Sequence, residues 1–308
     1  MKKLLLFLIP IIIFSCKSAF YVDQNEKWLP GVARINDTLF VDQTEIRNVD
    51  YREFFYWNSV VYPDKRISLL PDTLVWRTEK GDMDDYIELY YRHPAYSDYP
   101  VVGISYDQAL SYCHWRSDRV MEMLLIKEGI IKGDSTGSFT IERYFEGKID
   151  GITPNYNFPY PQYSLPSKDE WEIYASLKKD TLTPFKNSKI GFDLTKKNWR
   201  NKLKYDSCQF ATKTEQQLDS VYISHFSCYA MISPDITHPV SIGHKNDYEL
   251  LHTVGNVSEM TNLEGVAVGG NWTTQLLELD LSKSIPYNGT QMWLGFRCVA
   301  TWKYWRYK

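Results

Sequence analysis

Apolar residues return at helical spacing in several stretches of the chain and in short bursts elsewhere. Tyr51, Phe54 and Phe55 follow Asn48, a residue type that caps helix N-termini, and predict a first helix. Ser105 and Gln108 have the spacing of a capping box, and Ala109, Leu110, Cys113, Val120 and Leu124 then form one apolar stripe. Cys113 on that stripe faces a core. Ser167 and Glu170 repeat the box ahead of Trp171, Tyr174 and Leu177. A further helix is predicted over 84–92. Thr38–Val41 reads as a strand, and Leu70–Trp76 as a strand bounded by proline. Residues 127–162 follow neither period and are rich in Gly, Pro, Tyr and charge. Residues 180–235 are the least readable part. Near the C-terminus three glycine-centred stretches stand in order: Gly255-Asn256-Val257-Ser258-Glu259, Gly269-Gly270-Asn271-Trp272 and Gly295-Phe296-Arg297-Cys298. Taken singly, each is a turn between short strands where the backbone needs positive φ or close approach.

The first residues change the picture of where the chain resides. Lys2 and Lys3 precede an apolar run from Leu4 to Phe14, and Ser15-Cys16 follow. That is a secretory signal, too short for a spanning helix of roughly 20 apolar residues. Cys16 directly after the run fits a lipobox, so residues 1–15 are expected to be removed and Cys16 to carry palmitate or a related acyl chain. Residues 16–33 then read as a tether, 34–303 as the folded domain with an insertion at 127–162, and 304–308 as a basic aromatic tail.

Composition narrows the function classes. A formal net charge of −3 over 308 residues argues against nucleic acid, which calls for a basic stripe. The 10 Trp, 23 Tyr and 14 Phe supply large buried area per residue, which suits a fold with little regular structure. Besides Cys16 there are four cysteines, Cys113, Cys208, Cys228 and Cys298; in an exported chain an even count predicts two disulfides, with three pairings open. No Cys-x-x-Cys occurs, which argues against zinc. The six histidines, at 93, 114, 225, 238, 244 and 252, show no His-Glu-x-x-His spacing and are read as structural.

The order and spacing of the three glycine-centred stretches resemble the C-terminal half of the formylglycine-generating enzyme (sulfatase-modifying factor) domain, which reads G-N-V-W-E-W, R-G-G-S-W and G-F-R. Upstream, Glu45-Ile46-Arg47-Asn48, Tyr112-Cys113-His114-Trp115, Ser164-Leu165-Pro166-Ser167-Lys168-Asp169-Glu170-Trp171-Glu172 and Thr237–Gly243 extend the likeness. Pro71-Asp72-Thr73 with Trp76, His93-Pro94-Ala95-Tyr96 and Tyr99-Pro100-Val101-Val102-Gly103 are similar to the domain as carried by Bacteroidota gliding-motility and type IX secretion lipoproteins.

The resemblance implies an α+β, loop-rich, C-type-lectin-like fold with short antiparallel strands and a few helices. It places a strand at 237–243. It implies a disulfide between Cys113 and Cys298, which leaves Cys208 with Cys228. It also implies a possible calcium site from the carbonyls of Gly255 and Val257 and the carboxylate of Glu259, although the family's Asn or Asp is His252 here. Catalysis does not carry over. The family uses a cysteine pair between G-G-S-W and G-F-R, where thiolates serve as nucleophile and copper ligand. The interval 273–294 has no cysteine, Val268 stands for the arginine, and Asn271 for the serine.

The expectation is a non-catalytic outer-membrane lipoprotein with no catalytic or cofactor-binding residues. It would face the periplasm and bind protein partners in an envelope or secretion assembly. Residues 127–162 and the tail 302–308 would be partner surfaces rather than core, with the tail equally readable as a last strand that packs Trp302 and Tyr304 inward. A diverged oxidoreductase and a glycan-binding module are the rival readings.

Overall fold

A computed structural model describes residues 29–133, 137–175, 236–242, 245–274 and 280–306. The chain divides into Met1–Pro30 and a unit spanning Gly31–Lys308, and the fold below belongs to the second. Cys16, Cys208, Cys228, His225, His244 and Leu177 lie outside the described residues.

Two four-stranded sheets carry the architecture. The first has the order β1-β2-β8-β3, from Val32–Arg34, Phe40–Asp42, Val299–Lys303 and Tyr160–Ser164, all antiparallel. Phe40 pairs with Ala300 and Tyr163 with Ala300 from the other side, so the last strand lies between the first and the middle of the chain. Pro161 is accommodated because β3 is an edge strand, where a missing N–H costs no ladder bond. The second sheet has the order β6-β5-β4-β7, from Ile285–Pro286, Val266–Val268, Ser258–Met260 and Leu294–Gly295. Only its β4–β7 pair is parallel. Mixed helices and short antiparallel strands make this an α+β fold.

The helices follow from local chemistry. Helix α3, Tyr106–Lys127, starts on the predicted box, with Ser105 Oγ accepting from Gln108 N and Gln108 Oε1 accepting from Ser105 N. Its stripe of Ala109, Tyr112, Cys113, Val120, Met121, Leu124 and Leu125 is buried. Ser117 links this helix to β3: its hydroxyl donates to the Cys113 carbonyl at 2.8 Å and accepts from Tyr163 N at 2.9 Å. Helix α5, Lys168–Tyr174, uses the second predicted box and buries Trp171 and Tyr174. Helix α1, Asn48–Val61, begins one residue earlier than Asn48 as a cap would allow. Arg47 is the cap, closed by Asp50, whose Oδ2 accepts from Arg47 N at 3.1 Å. Asn48 is instead buried, donating from Nδ2 to the carbonyls of Tyr90 and Tyr96. The short helix α2, Asp84–Leu89, falls within the predicted 84–92.

Three other expectations are corrected. Leu70–Trp76 is no strand: Thr73–Trp76 is a 3-10 turn capped by Asp72, and Gly103 lets it approach. A Cβ on Gly103, at φ +72°, would stand 2.3 Å from the Asp72 carbonyl oxygen. Residues 237–242 form turns, with Val240 N donating to the Asp98 carbonyl, so the strand placed there is absent. The strand predicted at Thr38–Val41 is shifted to Phe40–Asp42, because Asn36 Oδ1 ties Thr38 and Leu39 into the preceding turn.

The larger correction concerns 127–162. Part of it, expected as partner surface, is core. Helix α4, Ile141–Phe145, capped by Thr140, places Ile141, Tyr144 and Phe145 in one buried cluster with Ile131, Phe139 and the α3 residues Met121 and Leu125. Trp305 from the tail stacks on Phe145, with centroids 5.1 Å apart and planes within 10°. The tail is thus divided: Trp302 pairs within the sheet and Trp305 closes the added cluster, while Tyr304 is exposed. Trp305→Ala is expected to lower unfolding stability by about 2 kcal/mol, because a stacked, half-buried indole is lost. Tyr304→Ala should stay within about 0.5 kcal/mol. Urea unfolding of the two variants checks this, and equal losses would contradict the packing described.

Candidate functional site

Two of the three glycine-centred stretches meet at one buried guanidinium. Arg297 follows β7 and is fully buried. Its Nε donates to Glu259 Oε1 at 2.7 Å, Nη1 to the Asp42 carbonyl at 2.7 Å and Nη2 to the Leu251 carbonyl at 2.6 Å. Glu259 stands on β4, and its other oxygen accepts from the Tyr174 hydroxyl at 3.2 Å. Gly295 makes this approach possible: a Cβ there would fall 2.7 Å from Val257 Cγ2 and 3.1 Å from the Val101 carbonyl oxygen. Burial works against the Arg297 charge, yet Glu259, Tyr174 and Glu45 together raise its pKa, so it stays a cation.

Two more buried carboxylates stand near it. Glu45 Oε2 accepts from Asn256 Nδ2 at 2.9 Å and Oε1 from Val257 N at 3.4 Å. Burial pushes this carboxyl well above the usual range, against the pull of Arg297. Asp42 Oδ2 accepts from Arg116 Nη1 at 2.6 Å and from Cys298 N at 3.1 Å. Arg116 also lies over the Tyr163 ring, 4.3 Å from its centroid.

The calcium reading does not fit these residues. Glu259 is the sole carboxylate of the proposed set, and both its oxygens are already bound, by Arg297 and by Tyr174. A hard cation needs 6–8 oxygens, and a guanidinium in contact with the only carboxylate opposes it. Among the described residues no cluster of three or more His, Cys, Asp or Glu is placed to hold a metal. His252 is buried with φ 52°, a backbone setting that Asn or Asp would enter more readily.

Other groups bond at the flanks of the interval 273–294. Asn271, in place of serine, is buried and donates from Nδ2 to Ser258 Oγ at 2.9 Å. Its Oδ1 accepts from the N and the Oγ1 of Thr273. Trp272 Nε1 donates across the interval to the Met292 carbonyl at 3.3 Å, and its ring packs on Trp76, 6.2 Å between centroids. Val257, Val102 and Tyr90 complete this cluster.

Cys113 and Cys298, expected as a disulfide, are both buried with Sγ atoms 3.5 Å apart and stand as thiols. Burial and its neighbour push the Cys298 thiol up, away from thiolate. Of the histidines described, His93 closes a turn by accepting from Ala95 N, and burial lowers His238.

Arg297 was visible in sequence only as part of a signature; its role was not, nor were those of Asp42, Arg116 and Tyr174. The one hint was the succession Cys113-His114-Trp115-Arg116, which sets a cation on the core face of α3. Removing one partner of a buried pair leaves the other uncompensated. Arg297→Met should therefore cost about 3–5 kcal/mol, and Arg297→Lys should not restore it, since an ammonium cannot reach three acceptors in a fork. Chemical denaturation would decide: wild-type stability in either variant would refute this account.

Residues 19–302 match the family model described as sulfatase-modifying factor enzyme 1-like domain. No curated protein matches the chain. Among solved structures the chain is similar to Treponema denticola variable protein 1, at 14% identity over 88% of this chain and 91% of that one, with a TM-score of 0.39. It is similar to CarF at 15% identity over 89% and 94%, with a TM-score of 0.40. PvdO from Pseudomonas aeruginosa shares 14% identity over 67% and 63%, with a TM-score of 0.34. On the span of the family model, the chain belongs to the sulfatase-modifying factor enzyme 1-like domain family.

Proposed function

We propose that this chain is a non-catalytic member of its family, a lipid-anchored envelope protein that uses the domain as a structural and binding part. One observation carries the reading. The interval that holds the reactive cysteines in formylglycine-generating enzymes has none here, and at its flanks Asn271 bonds to Ser258 and Trp272 to the Met292 carbonyl. A thiolate nucleophile and soft-metal ligand has no substitute among these groups. The rival oxidoreductase reading would need a reactive thiol, and Cys113 and Cys298 are buried.

The finer reading places the protein among lipoproteins of the gliding-motility or type IX secretion type, tethered through Cys16 to the periplasmic face of the outer membrane. The N-terminal sequence and the shared motifs at 71–76, 93–96 and 99–103 support it. The loop-rich α+β arrangement is read as C-type-lectin-like. The facing thiols of Cys113 and Cys298 are read as a disulfide that forms on export, which would join α3 to the last strand.

Purified protein incubated with a Cys-x-Pro-x-Arg peptide, oxygen and copper is expected to leave the peptide cysteine unchanged; oxidation to formylglycine above a no-protein control would end the non-catalytic reading. Peptide mapping of the same protein without reduction should link Cys113 to Cys298. A palmitate analogue fed to cells is expected to label the wild type and not Cys16→Ala, with the label in the outer-membrane fraction. Equal labelling of both would remove the anchor.

A further inference from the structure

Asn288-Gly289 is the sole Asn-Gly step in the sequence, and it stands in the exposed bend between β6 and β7. Both ends of this bend are pinned. Tyr287 N donates to the Gly265 carbonyl at 3.0 Å, and Thr290 Oγ1 donates to Asp72 Oδ2 at 2.9 Å. Between those ties Asn288 and Gly289 are both exposed, and the Asn288 side-chain amide is bonded to no other described residue. Gly289 takes φ +67°, and beyond its chain neighbours nothing stands within 4 Å of where its Cβ would be. The other exposed asparagines described lack this combination. Asn36 Oδ1 is held by Thr38 N and Leu39 N, and Asn155 Oδ1 by Asn157 N. Asn157 and Asn262 precede Phe158 and Leu263, whose side chains crowd the peptide nitrogen that follows. The decisive contact falls on the peptide group joining the two residues: Gln291 Nε2 donates to the Asn288 backbone carbonyl at 2.9 Å. When the Gly289 nitrogen gives up its proton, amide resonance spreads the negative charge onto that same carbonyl oxygen. A donor already aimed at the oxygen stabilises this charge as it develops.

We infer that residues 288–291 form a self-modifying site, in which the Gly289 nitrogen attacks the Asn288 side chain and Gln291 acts as a positioning residue. The bond from Gly289 N to Asn288 Cγ forms and the Cγ–Nδ2 bond breaks. The amide leaves as ammonia, carrying the proton that Gly289 gave up. Water then opens the resulting succinimide ring at either of its carbonyls. Opening at Cγ leaves aspartate at position 288. Opening at the backbone carbonyl leaves isoaspartate, with the main chain running through the former side chain. The net change consumes one water and releases one ammonia, so no oxidant and no second protein is needed. Either product turns a neutral amide into a carboxylate in the same bend as Thr290, whose partner Asp72 is already a carboxylate.

The test incubates the purified full chain in mildly alkaline buffer for days, beside a synthetic Tyr-Asn-Gly-Thr-Gln peptide. Mass spectrometry of the fragment containing residue 288 follows the conversion, and an isoaspartyl methyltransferase counts the isoaspartate. The folded wild type is expected to lose the Asn288 amide and gain isoaspartate, while Asn157 and Asn262 stay unchanged. An Asn288 amide that persists while the peptide is converted overturns the site, and so does equal conversion at Asn262. Gln291→Ala separates assistance from restraint. If Gln291 stabilises the developing charge, its loss slows conversion roughly two- to tenfold in the folded chain and leaves the rate in urea unchanged. If its bond merely restrains the bend, the variant converts faster, and the role given to Gln291 is overturned; an equal folded rate overturns it as well. Asn288→Gln, a surface change, should keep the melting temperature and abolish the conversion, because the longer side chain closes its ring far more slowly.

Discussion

A single cation with no access to water fixes how the ends of this fold meet. Once Arg297 is buried, its donors must find acceptors in the protein, since an unpaired charge in the interior costs several kcal/mol. The acceptors come from three places: the carbonyl ending β2 at Asp42, the carbonyl of Leu251 in the loop before β4 and the carboxylate of Glu259 on β4, whose other oxygen accepts from the Tyr174 hydroxyl on α5. A shift of any of these elements would break a charge-assisted bond in a setting where water cannot replace it. The planar fork of a guanidinium is what allows three acceptors in three directions to be served at once. Short strands of two to five residues give little cooperativity of their own, so the register of both sheets leans on this centre.

What could be read from sequence follows the range over which each feature is determined. The boxes at Ser105–Gln108 and Ser167–Glu170 are settled within one helical turn, and both appear as expected. Cys113 facing the core follows from the stripe on its own helix. Asn48 misled because a cap and a buried amide look alike in sequence, and Tyr90 and Tyr96, which claim its side chain, lie 42 and 48 residues away. The cluster of the 127–162 insertion was hidden for the same reason. Its apolar residues carry no period, and their partners are Met121 and Leu125 before it and Trp305 far after it. The role of Arg297 was equally out of reach, because two of its three acceptors are backbone carbonyls, one of them 255 residues away.

The signatures that identify the family turn out to serve its architecture. Gly295 permits the close contact of β7 with Val257, and Asn256 holds Glu45 and the turn at His238. Glu259 and Arg297 form the central pair, and Trp272 fills the space beside Trp76. All of these are buried. None needs a reacting group in the interval 273–294 to do its work. The features by which the domain is recognised can therefore serve the fold without any cysteine in the interval 273–294.

The same separation holds for the segment between α3 and β3. Its buried residues form a cluster of their own. They build against the far end of α3, where Met121 and Leu125 offer an apolar surface, and α4 brings its own cap in Thr140. Closure comes from the other end of the chain, where β8 lies beside β3 and delivers Trp305 onto Phe145. Because β3 is an edge strand and β8 its only ladder partner, the residues on either side of that pair can lengthen without disturbing the strands beyond. The segment is thus taken up at the edge strand of the first sheet, against the far end of α3.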